Sequence, residues 1–446
     1  MTIQDALRAD TRLGFHYFPD SLHYREVDLH AWLPEIKALG GSWLTLIAPN
    51  DRAIPEPFLR GLMREYIEPV LHFRLLVDRP TDLDSLGLLL NAYADWGVRY
   101  VALFDRPNLR SNWSPSAWVQ SDLVERFLDV FIPAANLVQQ VGLVPIFPPL
   151  EPGGDYWDTA FLRGALQGIL RRGQNQLAEN LILGAYAWVN KHPLNWGAGG
   201  PERWPQARPY HTPEGQEDQR GFYIFDWYLA IAEAVLNVAR PVILLGAGYN
   251  PASKVRRNVK LDLERHARTD LAIRMVMQDS TLVGAQPEEG LYPVSAQVLA
   301  CNYWLLAADA AAPEGYLAWF QADGGTLPVV EAFKNKAELK NSKTALNGIS
   351  PSMRPIAHYL LLAQSGAQLQ ETLSGLLPWI AENRPTMGFS IEEAALAARV
   401  TILGGEEMFS EELLDSLRSA GCTVERLDGI GTSIAPSTAS NQPLPM

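Results

Sequence analysis

The chain has 446 residues, 47% of them hydrophobic and 20% charged, with a formal net charge of −13. That is a globular composition with enough apolar surface for a large core. The acidic balance, with no Lys/Arg run interleaved with aromatics, argues against nucleic acid as a partner and against anionic membranes.

Short β-rich runs bounded by Gly, Pro, Asn or Asp predict strands at 13–18, 42–47, 69–75, 98–104, 143–147, 181–188, 241–245 and 315–320. Helical patterns are predicted at 27–39, 83–96, 118–140, 159–172, 222–239, 294–308 and 353–365. The first three end at Gly40-Gly41, Gly97 and Gly142, where a left-handed C-cap is expected. Strands alternating with helices predict an α/β fold, a closed (β/α)8 TIM barrel over residues 1–380. An open doubly wound sheet is disfavoured because no Gly-rich phosphate turn follows the first strand.

Two insertions follow strands six and seven, at 191–220 and 250–292. The second carries the basic stretch Lys254-Val255-Arg256-Arg257 and a predicted helix at 269–278. Both are expected at the C-terminal mouth, where barrels place their chemistry. Past Met387 the pattern becomes one small βαβ unit over 387–432: helices at 390–398 and 411–420, strands at 399–403 and 422–427. The Pro/Ser-rich tail 433–446 is expected to be disordered.

No uninterrupted apolar run reaches about 18 residues, so no transmembrane segment is expected. Residues 1–13 are polar and have no signal-peptide core, which makes the cytoplasm the default compartment. Cys301 and Cys422 lie far apart and outside any Cys/His cluster, so neither a metal nor a cofactor is expected.

Strand four runs into Phe104-Asp105-Arg106-Pro107-Asn108, and strand seven into Leu245-Gly246-Ala247-Gly248-Tyr249. In these segments the chain resembles the clan-A glycoside hydrolases, the cellulase-like barrel enzymes. Those families end strand four with Asn-Glu-Pro and strand seven with Thr-Glu-Gly-Gly, the two Glu being acid/base and nucleophile. The resemblance covers residues 11 to 330 and puts Arg106 at the acid/base position and Gly246 at the nucleophile position. A retaining mechanism needs two carboxyls about 5–5.5 Å apart. Arginine is not a practical general acid, and glycine has no side chain. The resemblance therefore implies a non-catalytic pseudoenzyme that binds an oligosaccharide or glycan, or acts as a scaffold.

Two alternatives stay open. One is an active O-glycosyl hydrolase using relocated carboxylates, with Asp105, Glu151 and Asp155 as candidates. A one-residue slip in strand four would itself put Asp105 at the acid/base position. The other is an assembly protein that self-associates through its C-terminal unit. That unit, at Val400-Thr-Ile-Leu-Gly404-Gly405 and on to Gly429, also resembles one copy of the type-2 cell-wall-binding repeat. Docking or oligomerisation is the preferred reading of it.

For ligand contact the candidates are His16, Asp105, Asn108, Asp155, Tyr156, Asn190, His192, Tyr249 and Trp319. Period-two alternation puts His16 on the opposite face from Phe15 and Tyr17, and His72 and Arg74 on strand three fit the same description. Aromatic faces with fixed amide and imidazole groups suit a sugar. Clan-A enzymes often keep a Trp at the end of strand eight, a place the resemblance gives to Trp319. Asp158 is expected to cap the helix that follows it.

Overall fold

The computed structural model describes residues 10–250, 261–278, 294–335, 356–362, 368–395, 397–404 and 409–427. It divides into two units, Met1–Ala337 and Glu338–Met446. In the first, eight strands close into one barrel in chain order. They are β1 Leu13–His16, β2 Trp43–Ala48, β3 Glu68–Phe73, β4 Tyr100–Leu103, β5 Val144–Phe147, β6 Ile182–Trp188, β7 Val242–Gly248 and β8 Val298–Tyr303. Every neighbouring pair is parallel, and β8 returns to β1 through Leu13 opposite Cys301. This is the predicted (β/α)8 architecture.

Barrel strands are buried on both faces, which is why they read as continuous apolar runs. Alternation then sorts the side chains. Along β6, Leu183, Ala185 and Ala187 join the core under the helices, while Ile182, Tyr186 and Trp188 join the barrel interior. Trp43, Val70, Ala102, Ile146, Ile243 and Ala300 pack the interior from the other strands. The outer layer is built by amphipathic helices. Helix Leu123–Gln140 buries Val124, Phe127, Leu128, Phe131, Ala135 and Val138 at three- and four-residue spacing. Helix Leu83–Trp96 starts at Asp82, whose carboxylate accepts from Asp84 N and Ser85 N. Helix Glu56–Arg64, between β2 and β3, was not among the predicted elements.

Strand eight is the main correction. The predicted strand at 315–320 carries only a short 3-10 turn, Gly315–Leu317, and the predicted helix at 294–308 contains β8. Leu and Ala in that run favour a helix locally. Closing the ring requires a strand between β7 and β1, and that tertiary demand wins. The insertion helix spans Leu263–Met277, and Lys254–Arg257 lie outside the described residues. No helix among the described residues is long and apolar enough to cross a membrane.

The second unit holds a four-stranded parallel sheet in the order β10-β9-β11-β12. Its strands are β9 Ile356–Leu362, β10 Thr386–Gly388, β11 Ala397–Leu403 and β12 Thr423–Leu427. It is thus larger than the single βαβ unit expected at 387–432, and its described residues 356–362 and 368–380 were expected in the barrel, which was given the bounds 1–380. The described part of the predicted helix at 353–365, Ile356–Leu362, is β9, because Tyr359 and Leu361 alternate into a core with Val400, Ile402, Leu414 and Leu417. The predicted helix at 390–398 stops at Ala394, since Ala397 already pairs with Ile356. The tail 433–446 lies outside the described residues.

Gly14 faces the barrel interior opposite Trp43. A Cβ there would stand 2.4 Å from Asn302 Oδ1 and 2.5 Å from the Trp43 carbonyl oxygen. The substitution Gly14→Ala is expected to lower unfolding free energy by about 1–3 kcal/mol through overpacking, measured by urea denaturation. An unchanged midpoint would mean that Trp43 and Asn302 can make room for a methyl group.

Candidate functional site

The site is organised by the turn that leaves β4. Phe104 and Arg106 both have left-handed backbones, with φ of 65° and 42°. Non-glycine residues adopt this region at a cost and need external restraint. Here Phe104 N donates to Phe73 O at 2.8 Å and Arg106 N to Pro149 O at 3.0 Å. Asn112 Nδ2 donates to the carbonyls of Asp105 and Arg106 at 2.8 and 3.0 Å. The Phe104 ring turns out toward Phe127 and Phe131, and Asp105 and Arg106 turn into the mouth.

There the two form one network with the loop after β5. Arg106 Nη2 and Nε donate to Asp105 Oδ2 at 2.9 and 3.1 Å. Its Nη1 lies 3.6 Å from Glu151 Oε2. Tyr186 from β6 donates its hydroxyl to Asp105 Oδ1 at 2.8 Å, and the Arg106 guanidinium lies 5.4 Å from the Tyr186 ring centroid. Burial works to raise the Asp105 pKa, but Arg106, His72 and Arg74 outweigh it and hold the carboxyl below its ordinary value. Burial pushes Glu151 up, with Asp105 adding to the rise against the pull of Arg106.

One wall of the mouth is aromatic. Tyr186 stacks on Trp188 at 5.3 Å and 13°. Trp188 meets Trp304 edge-on at 5.9 Å, and Trp304 lies 4.3 Å from His16. The floor is polar and buried. His16, Thr45, His72 and Asn302 are each fully buried. His72 Nε2 lies 2.8 Å from Phe104 O and therefore carries the proton. Both ring nitrogens of His16, His72 Nδ1, Thr45 Oγ1 and Asn302 Oδ1 have no hydrogen-bond partner among the described residues. Burial keeps both imidazoles neutral. It pushes His72 down to about 4 against the pull of Asp105, and takes His16 well below its ordinary value with help from Arg74, His72 and Arg106. Buried polar atoms are costly unless water or a ligand satisfies them.

On the β7 side of the site, a side chain at Gly246 would have to displace the aromatic rings of β6. A Cβ there would stand 2.8 Å from Trp188 Cη2 and 3.0 Å from Tyr186 Cδ1. The strand registers shift at this level, between Ala185 and Tyr186 and again between Leu244 and Ala247. The aromatic pair of β6 thus fills the volume a carboxylate on Gly246 would need.

Of the sequence-predicted residues, His16, Asp105, Arg106, Glu151 and Gly246 come together in the mouth. Asn108 does not reach it. Its side chain is a latch between loops, donating to Glu151 O and Tyr156 O and accepting from Glu151 N. Asp155 is exposed and accepts from Arg110 N at 2.9 Å. Tyr156 packs edge-on against Phe161. Asn190 follows β6 in a left-handed turn with φ 53°. His192 stacks on Trp196 at 4.2 Å, and Tyr249 stacks on His266 at 5.5 Å.

Two expectations are corrected outright. Trp319 is fully buried among Phe15, Tyr303 and Phe333, and Trp304 stands at the end of strand eight instead. Asp158 is the first helical residue and makes no cap. Its carboxylate instead accepts from Gly153 N, Gln219 Nε2 and Tyr228 OH at 2.8–2.9 Å. Sequence reasoning missed Tyr186 and Trp304 as site residues. Tyr186 had a usable signal, since it is two residues before Trp188 and so shares its face.

No protein-family model and no curated protein sequence matches the chain. Similar solved structures are glycoside hydrolases of low identity. A family 39 glycoside hydrolase from Bacteroides cellulosilyticus WH2 is 13% identical with a TM-score of 0.46, over 74% of this chain and 65% of that one. The chain thus matches less than two thirds of that protein's length. A GH128 endo-β-1,3-glucanase from Sorangium cellulosum is 13% identical at 0.40, over 72% of this chain and 97% of that one. Xylanase 10B from Thermotoga maritima is 11% identical at 0.41, over 77% and 100%. At these values the likeness is confined to barrel architecture.

The neutral buried imidazoles set a pH dependence. Between about 4 and 6.5 the unfolded chain binds a proton on His72 that the native chain refuses, so stability rises with pH across that window and is lost as pH falls through it. The slope is about 1.4 kcal/mol per pH unit for one such group. His72→Gln keeps a donor for Phe104 O and is expected to flatten the wild-type slope between pH 6.5 and 5 in urea titrations. Parallel slopes for the two proteins would contradict the neutral assignment.

Proposed function

We propose that the barrel binds a neutral oligosaccharide at its C-terminal mouth and does not cleave it by double displacement. The observation that carries this reading is the position of Arg106, bound to Asp105 and facing Glu151, where a retaining enzyme would hold a glycosidic bond between two free carboxyls. The filled space beside Gly246 supports it from β7. Arg106 pairs with both carboxylates and Arg74 adds its charge near Asp105, a balance that suits an uncharged ligand. Trp304, the partly exposed ring of the aromatic wall, offers a face on which a sugar can stack. Scaffolding through the same mouth would use the same contacts.

One observation favours a second reading, an active O-glycosyl hydrolase with relocated acids. The environments of Asp105 and Glu151 push their pKa values apart, one down and one up. A base or nucleophile and a general acid need such a difference. In that reading Arg106 swings aside when substrate enters.

A glycan array followed by calorimetry on the full chain separates the two. The first reading expects saturable binding that Trp304→Ala weakens about tenfold or more, a loss of about 1.4 kcal/mol, and no release of reducing ends over days. Hydrolysis by pure protein that Asp105→Asn or Glu151→Gln abolishes would establish the second reading in its place.

A further inference from the structure

A second group of side chains converges where the loops leaving β1 and β8 meet. Asp20 and His23 lie between β1 and helix Glu26–Ala38, and Asp309 follows β8. His23 Nε2 is 3.3 Å from Asp309 Oδ2 and 3.6 Å from Asp20 Oδ2. One ligand atom from each residue can be chosen so that all three lie within 4.8 Å of one another. Among the described residues no other such group of His, Cys, Asp and Glu occurs.

Both contacts of His23 Nε2 are longer than an ordinary hydrogen bond and near the spacing of two ligands on one cation. An N–H···O bond has its heavy atoms about 2.9 Å apart, and His23 Nε2 is buried without a hydrogen-bond partner among the described residues. Around a tetrahedral metal with bonds of about 2.0–2.1 Å, ligand atoms are about 3.3–3.4 Å from each other. The two observed edges fall near that length. The ring is held in place, stacked on Phe18 at 3.8 Å and 22°. Asp20 Oδ1 accepts from Leu22 N at 2.8 Å, which fixes that carboxylate with Oδ2 toward His23. A cavity of about 420 Å³ opens beside the group and is lined by Phe18, His23, Trp32, Asp309, Phe320 and Gln321. It supplies an entry path and room for a fourth ligand such as water.

We propose that Asp20, His23 and Asp309 form a divalent transition-metal site, with Zn²⁺ as the best match. A neutral imidazole and two carboxylates balance a dication. Imidazole selects first-row transition metals over Ca²⁺ and Mg²⁺, which take shells of oxygen. The ion would join the loops of the first and last barrel strands, next to the backbone bonds from Leu306 N to His16 O and from Ala307 N to Tyr17 O. This site is independent of the sugar reading and stands or falls separately.

The test is Zn²⁺ titration of the tag-free, chelator-stripped full chain by calorimetry, with Co²⁺ absorption as a second readout. One equivalent should bind, and Co²⁺ should give the visible bands of a tetrahedral site. His23→Gln and Asp309→Asn should each weaken binding about tenfold or more. Asp309 is exposed, so Asp309→Asn leaves folding intact. No uptake by the wild type, or uptake equal in the wild type and both variants, would overturn the proposal. The first result would mean that the three side chains hold no ion, and the second would place the ion elsewhere.

Discussion

The mouth of the barrel is built around one shared cation, the guanidinium of Arg106. It is half-buried, so it needs compensating charge and hydrogen bonds. Asp105 supplies two of those bonds, and Glu151 supplies a second negative charge. Asp105 in turn accepts from Tyr186, Tyr186 stacks on Trp188, and those two rings occupy the space beside Gly246. A single chain of contacts thus runs from β5 through β4 and β6 to β7. The left-handed turn at Phe104 and Arg106 is the backbone cost of that arrangement. The hydrogen bonds from Phe104 N, Arg106 N and Asn112 hold it there.

Around the network the barrel interior keeps polar atoms that make no internal bond. His16, Thr45 and Asn302 lie on adjacent strands, with His16 opposite Thr45 and Asn302 opposite Gly14, two residues earlier on β1. A packed barrel normally fills these layers with branched apolar side chains. Departures of this kind are expected at functional sites rather than in scaffolding. Here they gather beneath the aromatic wall rather than at the opposite, N-terminal end.

Much of the barrel was legible because strands buried on both sides are short apolar runs between turn residues, and seven of the eight were placed that way. β8 was not, since Val298–Tyr303 lies in a stretch rich in Leu and Ala and only ring closure makes it a strand. That one error moved the expected mouth tryptophan from Trp304 to Trp319. The site was legible where alternation along a strand decides direction, as for His16, and where the motif frame pointed to Arg106 and Gly246. It was not legible where a side chain is consumed by a loop-to-loop contact. Asn108 and Asp158 look like ligand or capping groups in sequence, but their partners, such as Glu151, Tyr156, Gln219 and Tyr228, lie far along the chain. The C-terminal sheet was under-read for a related reason, because β9 finds its partner only in β11.

The proposed reading leaves no nucleophilic carboxylate where a retaining glycosidase keeps one. Intact-mass spectrometry after incubation with activated 2-deoxy-2-fluoro glycosides tests it most directly, because these reagents trap the covalent glycosyl-enzyme intermediate of double displacement. The expected result is an unchanged mass with every sugar tried. A stoichiometric mass increase that maps to Asp105 or Glu151 would contradict it.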